Sequence, residues 1–164
     1  MRVLVTAASK HGSTADIADV IGKVLQHTGQ DVTILPIGDV TTVEEYDAVI
    51  LGSAVYLGHW LPPAVAFAAR HGDALTRRVV YLFSSGPMGE PAIPAEDPVD
   101  VQVQVTQTGA REHQVFTGRL TRSSPTLGER AMVAALRAPY DDFRDLVAVR
   151  QWAQHVAVRL ATGT

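Results

Sequence analysis

Ser9-Lys10-His11-Gly12-Ser13-Thr14 is a run of mostly small or hydroxyl-bearing residues, a set suited to holding an anion. Hydroxyls at Ser9, Ser13 and Thr14 supply hydrogen-bond donors, and Gly12 allows close approach of the backbone. Anion binding needs more than donors, because they must point at one place. The flanking segments provide this. Val3 to Ala8 reads as a strand, while Ile17, Val20, Ile21, Val24 and Leu25 recur at the spacing of an amphipathic helix face. A strand that turns directly into a helix aims several backbone N–H groups, and the positive end of the helix dipole, at one point. A phosphate suits such a cradle. Ser13 and Asp16 have the spacing of a capping box, which would start the helix just after Ser13.

The type of phosphate site narrows by comparison. A nucleoside-triphosphate loop needs two glycines around four residues and then Lys with Ser or Thr, and a dinucleotide fingerprint needs three spaced glycines. Gly12 stands alone. What remains is hydroxyl-x-x-Gly-x-hydroxyl at Ser9, Gly12 and Thr14, or an ordinary βα turn that binds nothing. This stretch resembles the phosphate loop of the flavodoxin family, whose members hold the terminal phosphate of FMN with backbone N–H groups and hydroxyls. The resemblance makes Ser9, Lys10, His11, Gly12, Ser13 and Thr14 the residues expected around that phosphate. His11 is then a flanking loop residue and not a base.

The elements that must position this loop follow along the chain. Residues 31–36, 47–53, 78–84 and 113–118 read as further strands, those at 47–53 and 78–84 apolar enough to be buried on both faces. Pro62-Pro63 opens a helix that Gly72 closes, and Val149, Trp152, Ala153, Val156 and Leu160 mark one face of a last helix capped by Asp145. Val99, Val101, Val103 and Val105 alternate like a strand, yet two buried parallel strands need a crossover between them, so residues 98–109 are assigned to a helix. Leu127 to Leu136 reads as a short extra helix. The alternation predicts one domain over 1–164, a flavodoxin-like doubly wound five-stranded parallel α/β sheet of order 2-1-3-4-5 with helices on both faces.

Ligands of such sheets lie beyond the carboxyl ends of the strands, at the switch between the first and third. Two more loops reach that edge. The first carries Ser53, Ala54, Val55, Tyr56, Leu57 and Gly58, followed by His59 and Trp60. A flat isoalloxazine ring needs apolar walls, so Tyr56 is a candidate ring contact, whereas Trp60 is more readily explained by packing on the next helix. In flavodoxins the peptide beside a glycine at the place of Gly58 can turn its carbonyl toward flavin N5. The second loop carries Ser84, Ser85, Gly86, Met88 and Gly89, suited to the pyrimidine side of the ring, with Met88 in place of the aromatic residue many flavodoxins have there. Gly52 to Trp60, with Asp142-Phe143-Arg144-Asp145 and Trp152, resembles the branch of the family that contains menaquinone-dependent protoporphyrinogen dehydrogenase. The chain departs from that branch at 118–140, which is small and polar instead of basic and aromatic.

Composition sets further bounds. The chain has 164 residues, a formal net charge of −3 and no cysteine, which excludes disulfides and thiolate metal sites and leaves no basic footprint for nucleic acid. The six histidines are scattered without metal-ligand spacing, and no Gly-x-Ser-x-Gly elbow is present. No apolar run reaches transmembrane length, and a cytoplasmic protein is expected. The resemblance implies an FMN oxidoreductase that exchanges electrons with a redox partner protein, a quinone or a small molecule. The alternatives are a small electron carrier and a non-enzymatic domain of the same fold. Residues 48–72 contain no Asp or Glu, while His59 and His71 lie there, so the reduced flavin anion is expected to form at a less negative potential than in acidic flavodoxins. Donor, acceptor and oligomeric state stay open at this level, as does a riboflavin or deazaflavin in place of FMN.

Overall fold

The computed structural model describes residues 1–86, 98, 100–117 and 145–163. Among the described residues six strands form: β1 (Arg2–Ala8), β2 (Asp31–Pro36), β3 (Ala48–Tyr56), β4 (His59–Trp60), β5 (Val79–Ser85) and β6 (Glu112–Phe116). The α-helices among these residues are α1 (Ser13–His27), α2 (Pro62–Leu75), α3 (Val101–Thr108) and α4 (Leu146–Thr162). The sheet order is β2-β1-β3-β5-β6, all parallel, with β4 folded back antiparallel on β3. This is the expected five-strand order with one two-residue strand added.

Each central strand is apolar on both faces because each face meets helices. Val3, Val5, Ile50, Tyr81 and Phe83 pack with Ile17, Ile21 and Leu25 of α1 and Val149, Trp152 and Val156 of α4. The alternate residues Leu4, Val49, Leu51, Val80 and Leu82 pack on the other face with Ala64, Phe67, Ala68 and Leu75 of α2. Trp152, Tyr81, Phe83 and Phe116 meet edge to face at centroid distances of 5.6–6.4 Å for the Trp152 pairs. The Trp152 indole donates to Glu112 Oε1 at 2.6 Å.

The crossover argument outweighs the local valine pattern, since residues 101–108 are helical. Their buried face is Val101, Gln104 and Thr108, spaced as a helix requires, and Val103 is exposed. Two boundaries move. Gly72 does not close α2, which runs on to Leu75; a Cβ at Gly72 would lie 3.1 Å from the Gln107 carbonyl oxygen, so glycine serves helix-to-helix approach there. The Ser13–Asp16 capping box is not formed as expected, because α1 starts at Ser13 itself with Gly12 at the N-cap, where no side chain exists to cap.

Asp145 does cap α4, its Oδ1 accepting from the amides of Val147 and Ala148 at 3.0 Å each. Asp145→Ala will lower unfolding free energy by about 1 kcal/mol. Urea denaturation with an unchanged slope checks it, and an unaltered midpoint would refute it. The expected helix at 127–136, the segment 142–144, and Met88 and Gly89 all lie outside the described residues. No helix among the described residues is long and apolar enough to cross a membrane.

Candidate functional site

The turn between β1 and α1 is shaped by Gly12. Its φ of 87° lies in the left-handed region, and its amide donates to Ser9 Oγ at 3.1 Å. Its carbonyl accepts from the Asp16 amide at 2.9 Å, which closes the first turn of α1. Ser9 accepts with its oxygen and can still donate its hydroxyl proton outward. Thr14 and Ser13 are buried at the helix start, at 1% and 8% exposure, while Ser9, His11 and Gly12 are half-buried and Lys10 is exposed. The donor set is thus a helix N-terminus with hydroxyls on both sides of a glycine turn. It fits a phosphate.

The second segment is not a loop. Ser53 and Ala54 still pair with Ser84 and Ser85, and Val55 and Tyr56 pair with Trp60 and His59. Leu57 (φ 50°) and Gly58 (φ 79°) form the two-residue turn of a hairpin, with both central residues at positive φ. Leucine is an uncommon choice there and costs about 1–2 kcal/mol in the left-handed region. It is also exposed. The hairpin projects from the carboxyl edge of the sheet beside the phosphate turn, and the Lys10 ammonium lies 5.5 Å from the Tyr56 ring centroid. Lys10 thereby links the first two segments.

Ser84 and Ser85 belong to β5 and are buried, so Gly86 is the first residue of the third segment beyond the strand. A Cβ at Gly86 would lie 2.7 Å from Val55 Cβ, which shows how closely this segment approaches the hairpin. The Ser84 hydroxyl faces protein: the Trp60 indole donates to it at 2.7 Å, and it lies 2.7 Å from His113 Nε2. Trp60 is 3% exposed, which makes it a packing residue. Its amide donates to both carboxylate oxygens of Asp100 at 3.2 and 3.3 Å, with His59 Nδ1 3.7 Å from the same group. The Leu61 amide donates to Ser53 Oγ at 2.9 Å, and Ser53 in turn donates to the Ala54 carbonyl. Sequence reasoning did not place Asp100 or His113 near this edge. No local signal marks them, because they arrive on other elements.

His71 sits on α2, its ring 4.6 Å from that of Phe67, and burial followed by the Arg70 charge lowers its pKa from the usual histidine value. Of the two histidines in 48–72, exposed His59 is the one on the hairpin. A cavity of about 410 Å³ opens on the other side of the phosphate turn, toward β2, lined mainly by apolar residues such as Ala7, Ile34, Ile37 and Leu61. Ser9 and Gly12 of the turn belong to its lining. Among the described residues no cluster of His, Asp or Glu could hold a metal ion.

A doubly wound sheet of this order, with a phosphate-type turn at its β1–β3 switch point, defines the flavodoxin-like class. Residues 4–146 match the model of the flavodoxin domain family, and the chain belongs to that family. Similar solved structures include a flavodoxin from the domain Archaea, at 17% identity and a TM-score of 0.66 over 98% of this chain and 99% of that one. Flavodoxin 1 from Bacillus cereus is 19% identical with a TM-score of 0.63, covering 97% and 98% of the two chains. A rubredoxin:oxygen oxidoreductase from Desulfovibrio gigas matches at 16% identity and a TM-score of 0.64, over 98% of this chain and 36% of its own. At these identities the likeness concerns the fold. No curated protein matches the chain by sequence.

Proposed function

We propose that this chain is an FMN-dependent electron-transfer protein of the protoporphyrinogen-dehydrogenase-like branch, exchanging electrons with a quinone or other small-molecule partner. FMN is the cofactor of the flavodoxin family, and the donor set at the β1–α1 turn suits its phosphate. The observation that carries the reading is this turn: a left-handed Gly12, a helix N-terminus, and the hydroxyls of Ser9, Ser13 and Thr14 at the switch point of the sheet. When bound, FMN supplies one- and two-electron chemistry, and the protein sets its potential and access.

The residues of the chain divide that work. The α1 N-terminus with Ser9, Ser13 and Thr14 binds the phosphate and orients the group. The hairpin, with Tyr56 and the Leu57–Gly58 peptide, walls the ring and presents backbone to its N5 edge. Gly86, beyond β5, lets the third segment pack close against Val55 of the hairpin, and its amide donates to the Phe116 carbonyl. Carboxylates are lacking over 48–72, and Asp100, which the fold brings to the hairpin, accepts from the Trp60 amide beside His59, so a reduced, anionic ring meets little repulsion from this segment. That favours an oxidoreductase with a diffusible acceptor over a low-potential carrier. The carrier reading draws support from the flavodoxins that match over nearly their whole length.

Titration of the purified chain with FMN and with riboflavin tests the binding. Two charge-assisted hydrogen bonds to the phosphate, at about 1.5–3 kcal/mol each, predict roughly 100-fold weaker binding of riboflavin or more. Equal affinities would remove the cradle from the account. Potentiometric titration of the FMN-loaded protein is expected to give a less negative couple than that of a low-potential flavodoxin, and a strongly negative one would favour the carrier.

A further inference from the structure

We propose that Ser84 and Asp100 are positioning residues for the flavin edge: together they lock Trp60, and so fix where the Leu57–Gly58 turn presents its backbone. The proposal rests on the FMN reading above. It also gives Trp60 a role beyond packing.

A two-residue strand cannot hold itself in place. β4 is that short, and the turn it closes carries Leu57 at φ 50°, a conformation that relaxes unless its surroundings enforce it. Three tethers enforce it. The Trp60 indole donates to Ser84, the Trp60 amide donates to Asp100, and the Leu61 amide donates to Ser53. Two come from outside the hairpin, from β5 and from the start of α3, and the third ties the end of β4 back to β3.

The chemistry of the grip has a direction. An indole N–H only donates, so Ser84 Oγ accepts from it, and the same oxygen lies 2.7 Å from Nε2 of His113. Ser84 is fully buried and Trp60 nearly so, which means water cannot replace a lost partner. Asp100 stands at the N-cap of α3, but no capping bond forms from its side chain. The carboxylate reaches to the hairpin instead.

The test uses the full chain with Trp60→Phe, Asp100→Ala and Ser84→Ala, the first of which removes the donor without orphaning it. In flavin-free protein, amide exchange over Leu57 to Leu61 is expected to rise about tenfold or more in each, as loss of a buried hydrogen bond implies. In FMN-loaded protein the affinity should change less than about threefold, because the phosphate turn is intact, while the midpoint potential shifts by the equivalent of about a tenfold change in the oxidised-to-reduced ratio. Asp145→Ala, which weakens the start of α4 and touches none of the three tethers, should move neither the exchange nor the potential.

Unchanged exchange in all three variants overturns the lock. Faster exchange with an unchanged potential overturns the positioning role, and so does a potential that Asp145→Ala shifts equally. A wild-type chain that binds no FMN overturns the proposed function and the positioning role with it. The exchange arm needs no flavin, so it separates that failure from failure of the lock.

Discussion

Ser9→Ala combined with Thr14→Val will weaken FMN binding by about 100-fold or more while leaving riboflavin affinity unchanged. Each hydroxyl is expected to donate to a phosphate oxygen, and hydrogen bonds to charged groups contribute about 1.5–3 kcal/mol each. Two of them correspond to at least two decades in the dissociation constant. Thr14→Val keeps the shape of a residue that is 1% exposed, so the start of α1 should stay packed. Ser9→Ala also removes the acceptor of the Gly12 amide, which adds to the loss by loosening the turn. Fluorescence titration with both flavins reads the result. A parallel fall in both affinities would place the damage in the ring pocket or the fold. No change in either would mean that the hydroxyls do not meet the ligand.

Gly52→Val will destabilise the protein by about 3 kcal/mol, near the upper end for overpacked cores. Gly52 pairs with Phe83 across β3 and β5, and a Cβ at Gly52 would enter the Phe83 ring. That ring cannot easily yield. It is fully buried and packs against Phe116 and Trp152 at centroid distances of 6.1 and 6.4 Å. For a domain of this size the penalty corresponds to a fall of about 10 °C in Tm. The attribution to the ring has its own check, since Gly52→Ala should cost less in a Phe83→Ala background than in the native chain. Equal costs in both would show that the glycine serves the backbone and not the aromatic neighbour. Because Ser53 follows directly, the displaced strand should also loosen the hairpin over the site.

Several features were legible without the fold. The phosphate-type turn, the buried strands, the helix faces at Ile17 to Leu25 and Val149 to Leu160, and the Asp145 cap all arise from neighbours within a few residues. Their physics is local, consisting of side-chain periodicity, helix-start chemistry and the backbone freedom of one glycine. The assignment of 98–109 to a helix needed one step more. It came from the requirement that parallel strands be joined by a crossover, which is a rule about chains and not about the valines themselves.

Other features were hidden for an equally physical reason. Where β3 ends depends on the strands beside it: Ser53 and Ala54 remain in the sheet because Ser84 and Ser85 lie alongside, and no turn signal of the Asn-Gly kind announces the hairpin. Gly72 looks like a helix stop, but only the approach of the Gln107 carbonyl explains it. The Trp60 lock joins residues 24 and 40 positions apart, and His113 joins it from 29 positions beyond Ser84. The sequence by itself determined the main strands and helices, their order and the glycine turn before α1, because each is written in short-range patterns. Only the tertiary structure decided which hydroxyls hold the hairpin, because strand register and helix placement choose hydrogen-bond partners across the sheet.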